Sequence, residues 1–458
     1  MKTVFLPLDS RPVCFDLPIL LNEDLVHPPL EMLDDYRKAS SYDSVSSFLE
    51  EECRDADALI LSAEQLVYGG LIASRNLDVS EGEALDRLSL IRKIKHCNPG
   101  IRIMISSVIM RDTVSALSQD GEKWWSLISL YSKAAYWEDR GQLDRLEKII
   151  PRDIISAYLA ARKRNSAINL ALVDQLKEGV VNLVVFLQED TQGESLPAAE
   201  QEQIKKEARG LNFFMHNGTD ECASELTVRL QPAKTVSLCY LNGDRNMKMR
   251  YEDRPFAENL ESHLRLCGLT VESDSDDILF IHLPKKYQFD HKPHIYSPED
   301  DYSPQELDSF AGEIKAGVEE GRNCYILDAA WANGADVRFM DAVSSKISLS
   351  GLSGYSAWNT ASNSIGTICA QIKAGKRDGK LLKRSILDDL VYQALIRDEF
   401  ESKLTNKWNI EDRSSAERIL RALFQERAAR IKSYLGEVEF DVSLRWSRTF
   451  EIDVEIRA

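Results

Sequence analysis

Glu189 and Asp190 are adjacent carboxylates at the end of a run of large apolar residues, Leu183-Val-Val-Phe-Leu187. Two acids this close do not both ionise cheaply, so one is expected to hold a proton near neutrality while the other stays charged. That division suits proton transfer and charge stabilisation at a small polar substrate. We take them as the candidate catalytic pair, Asp190 as acid/base and Glu189 as its partner. A helix cap or a solvated loop is the competing structural explanation of the same residues.

Other polar residues follow the other apolar runs. Asp9, Arg11, Glu64, Tyr68, Arg111, Asn165, Asp328, Asn333, Trp358, Asn359 and Asn363 are the candidate substrate-binding residues. Asn and Asp hold hydroxyls, Arg holds a carboxylate or phosphate, and an aromatic face suits a sugar ring. Some such residues must be caps, and Asp220, Asp336 and Thr360 are read that way. Tyr68-Gly69-Gly70 admits either a close approach to a ligand or an ordinary turn. The seven histidines form no His-x-x-x-His pair, and His216, alone at a strand end, reads as structural, so no metal ligands are assigned. No Walker A, Gly-x-Gly-x-x-Gly or Gly-x-Ser-x-Gly sequence occurs, and no cofactor is expected.

The elements that must position these residues alternate. Short apolar runs at Thr3–Leu8, Ala58–Ser62, Arg102–Val108, Leu183–Leu187, Leu211–Met215, Thr235–Leu241, Ile278–Leu283, Cys324–Leu327 and Leu349–Ser353 read as strands. Between them lie stretches of helical period, such as Gly82–His96, Ile154–Glu178 and Phe256–Cys267. Alternation of this kind makes a parallel α/β architecture, with chemistry at the carboxyl ends of the strands. The number of strands suits a (β/α)8-like barrel over residues 1–376. The alternative is two doubly wound α/β domains split near residue 232. Leu381–Leu404 and Ser414–Tyr434 read as long amphipathic helices and Glu437–Arg457 as a pair of strands, together a helical and β-hairpin appendage over 377–458.

Composition bounds the partners. The 458 residues are 43% hydrophobic and 29% charged, the balance of an ordinary globular protein. A formal net charge of −17 disfavours nucleic acid and anionic membrane surfaces. The opening Met1–Asp9 reads as a strand and not as a leader, and no apolar window is long enough to span a bilayer. Eight cysteines without a Cys-x-x-Cys suggest reduced thiols and a cytoplasmic location.

Several longer motifs stand out: Pro7-Leu-Asp-Ser-Arg-Pro12, Tyr68-Gly-Gly-Leu-Ile-Ala-Ser-Arg75, Arg162-Lys-Arg-Asn165, Gln188-Glu-Asp-Thr191, Ala357-Trp-Asn-Thr-Ala-Ser-Asn363 and Trp446-Ser-Arg-Thr-Phe-Glu451. In these the chain resembles, over essentially its whole length, the bacterial family catalogued as domain of unknown function 4127. The resemblance implies a full-length member and brings no activity with it. The chain departs from the family pattern at Glu189, where a second Asp is expected, and at Asp112-Thr113.

By analogy of fold, retaining hexosaminidases that use the substrate's own acetamido group carry neighbouring acids after the fourth strand of a barrel. A glycoside hydrolase acting on a small or terminal sugar, with the N-acetylhexosaminidase type in view, is therefore the first expectation. The second is a hydrolase or lyase of a phosphorylated or carboxylated small molecule, motivated by Arg11, Arg75 and Arg111. A non-catalytic carbohydrate-binding protein is the third. The partner in each is a small-molecule or carbohydrate substrate.

Overall fold

Apolar runs with no polar alternation become strands covered on both faces. All six residues of Leu183–Gln188 are buried, and Phe186 is fully enclosed. The computed structural model describes residues 1–114, 119–189, 193–291, 301–376 and 379–457. The chain divides into two compact units, Met1–Thr227 with Tyr251–Asp253, and Val228–Arg250 with Arg254–Ala458.

The first unit runs β1 (Thr3–Leu6), β2 (Leu25–Val26), β3 (Ala58–Ser62), β4 (Arg102–Ile109), β5 (Leu183–Gln188) and β6 (Phe213–Asn217). Among the described residues these form one sheet in the order β2-β1-β3-β4-β5-β6, every pairing parallel. The second unit runs β7 (Lys234–Tyr240), β8 (Leu269–Val271), β9 (Asp277–His282), β10 (Phe289–Asp290), β11 (Asn323–Asp328), β12 (Trp331–Ala332) and β13 (Gly354–Ser356). Its main sheet has the order β13-β11-β9-β7-β8, again all parallel, and β10 pairs separately with β12. In both sheets the second strand lies on one side of the first and the third strand on the other. Right-handed crossovers then send the connecting helices to opposite faces.

The α/β class with parallel sheets is as expected, but a closed (β/α)8 barrel is not formed. Among the described strands β6 pairs with β5 alone, and β7 opens a second sheet with β8 and β9. The alternative division near residue 232 falls a few residues from the boundary after Thr227. The expected boundary at 376/377 is not where the chain divides. Leu387, Leu390, Tyr392, Phe400 and Leu420 share one buried cluster with Phe280, Ile326 and Tyr355, so the late helices complete the core of the second unit.

Local differences have local causes. Gly82–His96 is two helices, Glu81–Leu88 and Leu90–Cys97, meeting at Ser89. Leu349–Gly351 is a 3₁₀ turn, and the strand follows it as β13. The stretch from 381 is α-helical only at its ends, with a π-helical Ile386–Ile396 between. The alternating tail pairs as expected, β14 (Phe440–Ser443) antiparallel to β15 (Asp453–Ile456). Among the described residues no helix is long and apolar enough to cross a membrane.

Candidate functional site

The carboxyl edge of the first sheet gathers charge. Glu189 follows β5 and is buried; an Arg75 guanidinium N–H donates to its Oε1, and Arg111 Nη1 lies 3.6 Å from the same oxygen. One carboxylate thus meets two guanidinium groups. Asp190, its expected partner, lies outside the described residues. Glu64 stands in the first turn of the Ala63–Tyr68 helix, with Ser62 as the N-cap. Its Oε1 accepts from the Val108 N–H of β4 at 2.8 Å and its Oε2 from the Ser62 hydroxyl at 2.9 Å. Burial pushes the Glu64 carboxyl up to about 7 despite these two bonds, and the charge of Glu189 adds to the rise. A carboxyl of that kind gives and takes a proton near neutrality.

One helix holds both arginine loops. Arg162 and Arg164, on the Arg152–Lys177 helix, are buried while Lys163 between them is exposed. Arg162 Nη1 donates to the carbonyls of Met110 at 2.9 Å and Arg111 at 2.7 Å, and its other nitrogens fork onto Glu200. Arg164 Nη1 donates to the carbonyls of Asn76 at 2.8 Å and Val79 at 2.9 Å. Asn165 and Tyr68, expected on the substrate, take part in this fastening. The Asn165 amide donates to the Ser74 carbonyl at 2.9 Å, and the buried Tyr68 ring lies 4.4 Å beneath the Arg164 guanidinium. The Gly69-Gly70 turn likewise approaches the protein itself: a Cβ on Gly69 would meet the Ser40 backbone at 2.8 Å, and one on Gly70 the Asp34 carboxyl at 2.9 Å.

Arg11 does not serve as an open anion site. Its Nε donates to both oxygens of Asp9 at 2.9 Å, and Nη1 and Nη2 fork onto Asp220 at 3.1 and 2.6 Å. The closed pair ties the tip of β1 to that of β6, strands separated in the sheet by β3, β4 and β5. Asp9 is therefore also a structural partner. Beyond Asp220 lie Glu221 and, one turn into the Cys222–Arg229 helix, Glu225. His216, at the end of β6, is buried with them, and potential ligand atoms of the three lie within 4.8 Å of one another. Burial raises the Cys222 thiol well above its usual range, and the charges of Glu225, Glu221 and Glu64 raise it further. These acids therefore share one neighbourhood.

Asp328, Asn333, Trp358, Asn359 and Asn363 belong to the second unit, so the expected residues do not all sit on one sheet edge. Asp328 is buried; its Oδ2 accepts from the Asp336 N–H at 2.7 Å and the Tyr355 hydroxyl at 3.3 Å. Burial brings its pKa up to about 6. Asp336 caps the Val337–Lys346 helix and stands 3.0 Å from His282 Nε2. The Leu283 N–H to Asn242 Oδ1 bond of 2.8 Å orients that amide, whose nitrogen then faces His282 Nδ1 at 2.7 Å. The imidazole is thereby fixed with its proton toward Asp336. Asn333 and Asn359 take left-handed backbone conformations, φ 62° and 57°, and are joined by a 2.8 Å backbone bond. Trp358 packs edge-on to Phe450 at 5.9 Å, and Asn363 completes a capping box with Thr360. These groups hold strands and helices in place.

A family model described as "Protein of unknown function (DUF4127)" matches residues 3–455. The chain belongs to that family. Among curated proteins no match is found. DUF4127 membership carries no activity, so function has to be argued from the groups themselves. Two features of this member were not drawn from its sequence. Arg75 motivates the anionic-substrate expectation without being among the candidate binding residues, and its convergence with Arg111 depends on loops far apart in the chain. The set His216, Glu221, Glu225 carries a readable signal: a strand-end His followed by two Glu at helical i, i+4 spacing.

Proposed function

We propose that the protein is a hydrolase or lyase acting on a phosphorylated or carboxylated small molecule at the carboxyl edge of its first sheet. The observation that carries this reading is the meeting of Arg75 and Arg111 on the single carboxylate of Glu189. Guanidinium groups take phosphate and carboxylate alike through charge-assisted hydrogen bonds. In this reading a substrate anion exchanges with Glu189 on the two arginines. Glu64, the neighbouring carboxyl with a pKa of about 7, then donates or accepts the proton at the bond that breaks. Arg162 and Arg164 keep the two anion-binding loops in register. A glycoside hydrolase draws less support, because Glu189 is ion-paired and the Trp358 ring is packed against Phe450. All eight cysteines are free thiols, which supports a reducing, cytoplasmic setting.

The test is a panel of aryl phosphates, phosphorylated and carboxylated metabolite-sized compounds, and aryl glycosides, run on wild type, Arg75→Gln and Glu64→Gln. Turnover of anionic compounds is expected, with KM raised at least about tenfold in Arg75→Gln by loss of a charge-assisted pair. Glu64→Gln is expected to lower kcat by about 100-fold or more. Turnover confined to glycosides, or anion turnover untouched by either change, would sink the reading.

A further inference from the structure

We infer that His216, Glu221 and Glu225 bind one divalent first-row transition-metal ion. The three side chains are fully buried, and their potential ligand atoms lie within 4.8 Å of one another. Ligands at about 2.0–2.2 Å from a common ion stand roughly 3–4 Å apart, so small side-chain shifts bring all three onto one ion. Helical spacing makes the arrangement: Glu225 N–H donates to the Glu221 carbonyl at 3.2 Å, which stacks the two residues one turn apart.

Two independent details point the same way. His216 Nδ1 lies 2.9 Å from the Asn217 carbonyl, so that nitrogen carries the proton and Nε2 presents a lone pair. A ring nitrogen tied to a backbone carbonyl is how ligating histidines are commonly oriented. Nε2 then stands 3.9 Å from Glu225 Oε2, too far for a hydrogen bond and suited to two ligands of one ion. The second detail is Gly218, held at φ +93°, where a Cβ would lie 1.9 Å from Glu221 Oε1. Only a residue without a side chain lets that carboxylate fold back beneath the strand end toward the imidazole.

Mixed imidazole and carboxylate ligation suits Zn²⁺, Mn²⁺ or Fe²⁺ better than Ca²⁺ or a thiolate-seeking ion. Two buried carboxylates repel each other, and a divalent ion between them reverses the sign of that interaction. The site stands apart from the anion reading above, since metal binding is measured without any substrate.

The experiment uses the full chain stripped with a chelator and titrated calorimetrically with Zn²⁺ and, separately, Mn²⁺. Binding near one ion per chain is expected, with affinity lowered at least about 100-fold in Glu225→Gln and His216→Gln, beyond what loss of an outer-shell partner causes. The thermal midpoint should rise with ion concentration in wild type and stay level in Glu225→Gln. X-ray absorption of the loaded wild type needs no variant: a shell of nitrogen and oxygen without sulfur supports the site. No saturable binding near one per chain, unchanged affinity in folded variants, or a sulfur-containing shell would overturn it.

Discussion

Glu64 is 3% exposed and still carries an ionisable group, so it titrates nearer neutrality than an ordinary solvent-exposed glutamate. Its pKa rises from 4.5 to about 7 chiefly through burial. A raised carboxyl binds its proton more tightly in the folded chain than in the unfolded one. Its contribution is therefore full below pH 4.5 and is lost as pH climbs through 7, amounting to about 3 kcal/mol at most. Glu64→Gln keeps an acceptor for the Val108 N–H and removes the charge. The variant should match wild type near pH 4 and exceed it by about 1–3 kcal/mol at pH 8.5 in urea unfolding. Equal differences at the two pH values would show that Glu64 is not held neutral by its surroundings. Sequence reading found this residue as a polar strand end. Its chemical state was not legible, because the burial that raises its pKa, and the β4 N–H that offsets part of the rise, are both set by long-range packing.

At the scale of elements, the Arg152–Lys177 helix is a brace. Lys163 is solvated, while Arg162 and Arg164 on either side of it grip the loops behind Arg111 and Arg75. Lysine at 164 would keep the charge but lose the planar fork that serves the carbonyls of Asn76 and Val79 and the side chain of Asn165. Arg164→Lys should therefore cost about 1–3 kcal/mol in stability and raise KM for an anionic substrate more than it lowers kcat. Lys163→Ala should leave both unchanged. An Arg164→Lys chain with wild-type KM and stability would remove the brace from the account. Other elements show where legibility ended. The six-residue buried strands announced themselves, whereas β2 and β8, of two and three residues, are too short for a period to emerge. Asn363, expected among the substrate ligands, completes a capping box with Thr360, and the Thr360-x-x-Asn363 spacing carries that signal in the sequence.

On the scale of the whole molecule, the two sheets repeat one strand order, with the first strand flanked by the second and the third. A ring of eight parallel strands and two open sheets share the same alternation along the chain. What separates them is which strand lies beside β6, a pairing between distant residues that no local pattern encodes. Each unit has its own buried cluster: Phe186 sits in that of the first, and Phe339 in that of the second. Domains with separate cores tend to unfold as separate cooperative units. The calorimetric enthalpy of unfolding should then exceed the van't Hoff value, and truncation of one core should move only part of the transition. Phe186→Ala and Phe339→Ala each remove a fully buried ring, a loss of about 3–5 kcal/mol in the unit that holds it. Scanning calorimetry of the two variants should show different halves of the heat-capacity trace displaced downward. If either change shifts the entire trace together, the two cores melt as one cooperative body, and the division of the chain after Thr227 has no thermodynamic meaning.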